Sequence, residues 1–281
     1  MTIALTNECP NAADLLALAE RAARTAGKYL HEHFRGQMVV DRKTRKSDVV
    51  TIHDRHAEIL IRDIILQAAP DSCIWGEEFG AGGEGDTVWF IDPIDGTSNF
   101  AGGMPIYCVS IGIAWRGALV GGVVYDPERD EAFVGSPHGF FVNGQPCAEY
   151  AEIDASNAIC LTNFPHEGAV SDQELAAYRR VLADFRAVRR FGSAAIALAY
   201  VAAGRADVCC ELSTYPWDHA AGTALVLASG GTVVARNTSG LPEADVSKFA
   251  CYVAHGKGFD LVGSVLAELI DNVPDRSVIN A

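Results

Sequence analysis

The spacing of hydrophobic residues predicts a layered α/β fold, with helices packed on sheets. Three observations carry this. Apolar residues recur at helical spacing through the first seventy positions, β-rich runs broken by Gly, Asp and Pro follow to about 150, and helical and strand patterns alternate beyond. The expected organisation is a single domain over 1–281 built from two tightly packed lobes, roughly 1–150 and 151–281.

The first helix is expected over 11–34, where Leu15, Leu16, Leu18, Ala19, Ala22, Ala23, Ala26 and Leu30 share a side and Asn11 is a candidate N-cap. A second fits 54–68, with Ile59, Leu60, Ile64 and Ile65 on one face and Pro70 closing it. The period then changes. "TVWFI", "YCVSIGIAWRG", "ALVGGVVYD", "EAFVGS" and "GFFVNGQP" read as strands, and Asn143-Gly144 in the last is a hairpin turn signal. "GAGGEGD" at 80–86 reads as a flexible loop.

Beyond 150, "NAICLTN" is a strand, "SDQELAAYRRVLADF" a helix, "GSAAIALAYVAAG" a helix of small residues and "ADVCCE" a strand. "PWDHAAGTALVLASGG" has Pro at the start of a helix and Gly at its end. "GTVVA", "FACYVA" and "FDLVGSVLAELI" complete the chain as strand, strand and helix. Repeats and low-complexity tracts are absent.

Bulk properties narrow the function. A net charge of −14, with "RKTRK" at 42–46 the only dense basic run, argues against a nucleic-acid binder. The eight cysteines show no CxxC spacing, so reduced, mostly buried thiols are expected rather than zinc or disulfides. The start lacks the pattern of a signal peptide, and no apolar run is long enough to span a membrane. A cytoplasmic protein is expected from these features.

"WFIDPIDGTSNF" sets Asp92 and Asp95 three positions apart around Pro93. Like charges this close raise each other's pKa unless something neutralises them. One reading is a surface turn, since Asp, Pro and Gly favour turns. The other is a divalent metal at the end of the sheet, held by Asp92, Asp95 and a backbone carbonyl, with Gly96 and Thr97 offering an N–H and a hydroxyl to a phosphate. "WGEEFG" places Glu77 and Glu78 in a glycine-bounded loop. Asp218 in "PWDHAAG" and Asp54 in "VVTIHDRHAE" stand at helix starts, where each serves equally as a cap.

Taken together and in this order, "GEE", "WFIDPIDGTSNF", "GSAA…YVAAGRAD" and "PWDHAAG" resemble the inositol monophosphatase family of magnesium-dependent phosphatases, over roughly 40–235. The resemblance implies an αβαβα sandwich, a homodimer and hydrolysis of a small phosphate monoester with two to three Mg2+ per site. By the same resemblance Glu77, Asp92, Asp95, Asp218 and the carbonyl of Ile94 are metal ligands. Thr97 and Asp54 activate the attacking water beside Glu77, and Glu78 supports from behind. Asp95, Gly96, Thr97, Ala194 and Glu211 contact substrate. Ala194 also reads as close helix packing, and Glu211 as a polar residue at a strand end. Lys43 matches a lysine near the metal-site loop.

Mg2+ takes oxygen ligands and keeps several waters, so sparse carboxylates suffice to bind it. Such ions neutralise the carboxylates, clamp phosphate oxygens and acidify a water, while Thr97 hydrogen-bonded to Asp54 orients that water for in-line attack. Inositol 1-phosphate is the expected substrate. Histidinol phosphate and fructose 1,6-bisphosphate are alternatives, and a catalytically silent binding module is the competing class. Ala197 stands where many bacterial relatives carry an acid and is assigned to packing or a subunit contact. Arg189 and Arg190 are expected to pair with acidic surface residues, and no histidine, His219 included, is expected to ligate metal.

Overall fold

The computed structural model describes residues 3–36, 40–42, 49–147, 152–165 and 171–272. The helices are α1 (Ala12–His33), α2 (Ile52–Ala68), α3 (Thr97–Ala101), α4 (Asp172–Asp184), α5 (Ala194–Ala202), α6 (Pro216–Ala228) and α7 (Val265–Asp271). A short antiparallel pair joins β1 (Val40–Arg42) to β2 (Val49–Thr51).

The first sheet holds β3 (Ser72–Gly76), β4 (Gly80–Gly82), β5 (Thr87–Asp95), β6 (Cys108–Trp115), β7 (Ala118–Asp126), β8 (Glu131–Ser136), β9 (Gly139–Val142) and β10 (Gln145–Pro146), in the order β10-β9-β8-β7-β6-β5-β3-β4. The second holds β11 (Ile159–Thr162), β12 (Ala187–Arg189), β13 (Val208–Glu211), β14 (Thr232–Arg236), β15 (Pro242–Glu243) and β16 (Cys251–His255), in the order β12-β11-β13-β16-β14-β15.

Three cores hold five layers together, the middle one filling both sides of its helices. Leu15, Ala22 and Leu30 of α1 and Ile61 and Ile65 of α2 bury against Trp89, Ile91 and Ile111 on the outer face of the first sheet. Helices α5 and α6 lie between the sheets, packing on Phe90, Val124 and Phe133 to one side and Cys209, Tyr252 and Ala254 to the other. Val181, Phe185, Leu266 and Ile270, from the α4 and α7 region, cover Cys160, Val208 and Val253 on the far face of the second sheet. This is the expected αβαβα order.

Helix α6 packs closely on the first sheet, for a legible reason. Gly112, Gly122 and Gly135 face one another across β6, β7 and β8. A Cβ on them would come within 2.7 Å of Ala220, 2.5 Å of Ala221 and 2.7 Å of Leu225 respectively. The row of missing side chains is a trough that only glycine leaves open, and it sets the depth at which the start of α6, with Asp218, is held.

Several elements depart from expectation. Helix α2 starts at Ile52, so Asp54 is not the cap but the third residue of the helix; Thr51 is the cap. Asn11 precedes α1 without a side-chain capping bond. Part of the expected loop, Gly80–Gly82, pairs with β3 as a hairpin, and β3, β12 and α3 were not anticipated. Asn143 (φ 49°) and Gly144 (φ 74°) form the expected turn with both residues left-handed. The eight cysteines are free, six of them buried. Among the described residues no helix is long and apolar enough to cross a membrane. Lys43 lies outside the described residues.

Candidate active site

Strand β5 does not stop at Asp92. It continues to Asp95 through a bulge: Asp92 faces Ser110 and Asp95 faces Cys108, two residues apart on β6, while Pro93 and Ile94 together oppose one partner position. In a regular strand residues three apart point to opposite faces. The extra residue cancels that alternation. Ile94 turns into the outer core with Trp89 and Ile91, so Asp92 and Asp95 both point to the inner face. Proline, which cannot donate to a ladder, sits where the ladder is interrupted. The two aspartates are thus neither in a surface turn nor exposed, at 3% and 8% accessibility.

Asp92 Oδ1 accepts the Ile94 N–H at 2.9 Å. Burial pushes its pKa well above the usual carboxylate range, and the charges of Glu77, Asp95 and Asp218 push it further. Asp95 meets the first turn of α5: Oδ2 accepts Ser193 Oγ at 2.6 Å and Ala195 N–H at 2.6 Å, and Oδ1 accepts Ala194 N–H at 3.2 Å. Burial raises its pKa while these donors oppose the rise. Ala194 therefore commits its N–H to Asp95, which leaves its carbonyl and methyl for any contact with substrate.

Asp218 is the third residue of α6. Its Oδ2 accepts the Tyr215 N–H at 2.8 Å and lies 3.3 Å from Thr214 Oγ1. Burial, then repulsion from Asp95 and Glu77, raises its pKa well above normal. It is a helix-starting aspartate and a member of the acidic cluster at once. His219 points away: Nε2 donates to the Val246 carbonyl at 2.9 Å, which fixes the neutral tautomer, and burial lowers its pKa to about 4.

Asp54 is 1% exposed. Oδ2 accepts the Thr51 N–H and hydroxyl, each at 2.7 Å, closing a capping box, and Oδ1 faces Thr97 Oγ1 at 2.9 Å. Burial raises its pKa, with Glu78 adding to the rise. Thr97 Oγ1 also lies 3.0 Å from the Ile94 carbonyl. Gly96, left-handed at φ 101°, packs so tightly that a Cβ would stand 2.9 Å from the Ile106 carbonyl oxygen.

Glu77 and Glu78 occupy the tight turn of the β3–β4 hairpin. Glu77 donates its N–H to the Ile91 carbonyl at 3.1 Å, which ties the turn to β5 one residue before Asp92. The Glu78 carboxylate is buried, 3.7 Å from Arg55. Glu211, at the end of β13 on the inner face, is 3% exposed and accepts the Asn163 N–H at 2.8 Å. It is thus no surface residue, and its burial raises its pKa well above normal.

Among the described residues, Arg189 and Arg190 do not pair with acids. Arg189 donates to the Val188 carbonyl, and Arg190 to the carbonyls of Asn163 and Pro165. Ala197 is buried in the middle layer, as packing requires. Reading the sequence missed Glu58, Arg62 and Ser193. Glu58 stands four residues after Asp54 on the same helical face, a spacing that was visible.

Acidic oxygens from β5, α6 and the β3–β4 turn thus crowd one region, and among the described residues the neighbouring guanidinium groups of Arg55 and Arg62 pair with Glu78 and Glu58. Among the described residues, no three acidic, histidine or cysteine side chains already surround a single point as ligands. The donor set is nonetheless all oxygen and mutually repulsive, which suits a hard divalent cation and little else.

The family model described as the inositol monophosphatase family matches residues 11–269. Among curated proteins the chain is 38% identical over 230 residues to the Nus factor SuhB of Salmonella typhimurium, covering 78% of this chain and 84% of that one. It is 35% identical over 256 residues to the inositol-1-monophosphatase of Synechocystis, covering 90% and 88%. Among solved structures, the extragenic suppressor protein SuhB of Bartonella henselae matches with a TM-score of 0.80 at 29% identity, covering 94% of this chain and 100% of that one.

Proposed function

The chain belongs to the inositol monophosphatase family and is a phosphoric monoester hydrolase, and we propose that it hydrolyses a small polyol phosphate, inositol 1-phosphate first, using two to three Mg2+. The observation that carries this reading is the bulge that turns Asp92 and Asp95 to one face, within electrostatic reach of Glu77 and Asp218.

In this reading Glu77, Asp92, Asp95, Asp218 and the Ile94 carbonyl hold the ions. Bound Mg2+ supplies charge neutralisation of carboxylates and phosphate oxygens and Lewis-acid activation. The chain's own residues do the rest. Asp54 and Asp218 each spend one oxygen on their helix caps, which fixes the other toward the site. Thr97 Oγ accepts a hydrogen bond from the attacking water and passes its own proton to Asp54 Oδ1. Gly96 and Thr97 steady the phosphate through their backbone N–H groups. The water oxygen bonds to phosphorus as the ester bond opposite breaks, and the departing alkoxide takes a proton from solvent. Glu211, Ala194 and Asp95 meet the polyol hydroxyls.

The reading extends to a homodimer acting in the cytoplasm. A panel of inositol, histidinol, fructose and nucleotide phosphates, compared by kcat/KM with Mg2+, tests the substrate. Inositol 1-phosphate is expected to lead it; no turnover of any monophosphate would overturn the assignment. The relatives named Nus factor favour a second reading, association with RNA polymerase, which pull-down of purified polymerase tests.

A further inference from the structure

We propose that Glu58 and Arg62 clamp the Glu77–Glu78 turn, and that Glu58 is thereby a positioning residue for the metal site; the second half rests on the function proposed above. Glu58 is fully buried. Its Oε2 accepts the Glu78 N–H at 2.7 Å and its Oε1 accepts Arg62 Nε at 2.7 Å. Arg62 then reaches on, donating from Nη2 to the Gly80 carbonyl at 2.6 Å. One ion pair thus holds a backbone group on each side of Phe79, over whose ring the Arg62 guanidinium sits at 5.8 Å. The fit is close enough to dictate Gly76: a Cβ there would lie 2.0 Å from Glu58 Oε1.

Stability alone gives no reason for this device. A buried ion pair is in itself often no more stabilising than an apolar pair of the same volume. What the charged pair adds is direction, since its donors and acceptors aim at two particular backbone groups. Asp54 and Glu58 lie one turn apart on α2. The same rigid helix therefore places the proton acceptor of Thr97 and the turn that carries Glu77, which fixes their separation.

The test combines Glu58→Ala, Gly76→Ala and the double variant in the full chain, with Glu58→Gln as the isosteric control. Amide exchange is measured without metal, and activity is titrated with Mg2+. In Glu58→Ala, exchange at the Glu78 N–H accelerates about tenfold or more while α2 amides keep their protection. The half-saturating Mg2+ concentration rises by about tenfold or more, as for other partners that orient metal ligands. At saturating Mg2+, kcat stays within about threefold, a split that general loosening would not produce.

Gly76→Ala pushes Glu58 aside and gives the same pattern, and it stands in should Glu58→Ala fail to fold. In the double variant the added methyl has room, so the effects do not add. Glu58→Gln keeps an acceptor for the Glu78 N–H and restores most of the protection. Unchanged exchange at Glu78 in Glu58→Ala overturns the clamp. Accelerated exchange with unaltered Mg2+ dependence overturns the positioning role. Glu77→Gln is the reference: if it leaves the Mg2+ dependence unaltered, the metal assignment fails, while the exchange result still decides the clamp.

Discussion

Thr97 Oγ1 stands 2.9 Å from Asp54 Oδ1, so a single hydroxyl joins the first turn of α2 to the bulged end of β5. Its other neighbour, the Ile94 carbonyl, is also an acceptor. Thr97 has one proton to place and lone pairs left over, which is what a group that orients water requires.

Replacing Thr97 with Ala or Asp54 with Asn is expected to lower kcat by about 100-fold or more, while Thr97→Ser keeps most of it. Burial raises the pKa of Asp54, and the proton acceptor must be ionised. Activity is therefore expected to fall as pH drops through a value above the ordinary aspartate pKa. A kcat–pH profile checks this, and an acid limb at or below the ordinary aspartate pKa would contradict it.

Asp95→Asn is expected to abolish turnover with the fold intact. Ser193 and Ala195 can still donate to the amide oxygen, at the cost of the longer Ala194 bond to the other oxygen, and one repulsive charge near Asp92 and Asp218 is gone. Circular dichroism and a melt should match or exceed wild type. Retained activity at saturating Mg2+ would remove Asp95 from the ligand set.

Mg2+ is expected to raise the melting temperature of the wild type, because an ion that binds only the folded cluster stabilises by about 2.7 kcal/mol at a hundredfold excess over its Kd. The shift should shrink in Asp92→Asn and in Asp218→Asn. A melt indifferent to Mg2+ would oppose the metal assignment.

Glu211→Gln is expected to change the preference for inositol over aryl phosphate more than it changes turnover of the aryl ester. Glu211 is buried beside the cluster rather than within the Asp54–Thr97 pair. Equal losses on both substrates would take it out of the polyol pocket.

His255 gives a pH dependence of stability away from the site. Burial lowers its pKa from 6.5, opposed by its bond to the Gly256 carbonyl and by Asp260. The unfolded chain then binds more protons, so its contribution is full above the unfolded pKa and is lost as pH falls toward the lowered folded value. Denaturant melts of His255→Gln should show a flatter decline between about pH 7 and pH 5 than wild type, a window set by the ordinary histidine pKa.

Much of the molecule was legible in local patterns. Helical spacing marked α1 to within a residue at each end, and "VNGQ" marked the β9–β10 turn. The capping spacing of Thr51 and Asp54 is equally readable and marks the start of α2 at Ile52, two residues before the expected 54. Strands β3, β4 and β12 escaped because three to five residues carry too little periodicity, and β4 is glycine and alanine throughout.

By itself the sequence determined which residues are acidic, where the longer helices lie, and the motif order that places the chain in its family. These are local properties, set by side-chain type and by spacing along one element. Only the tertiary structure decided that Asp92 and Asp95 share a face, since a bulge is defined against a neighbouring strand. It alone decided that a row of glycines on β6, β7 and β8 lets α6 pack closely on the sheet, and that Glu58 reaches across to the Glu78 amide. Such relations join residues distant in the chain through close packing, and no one-dimensional period records them.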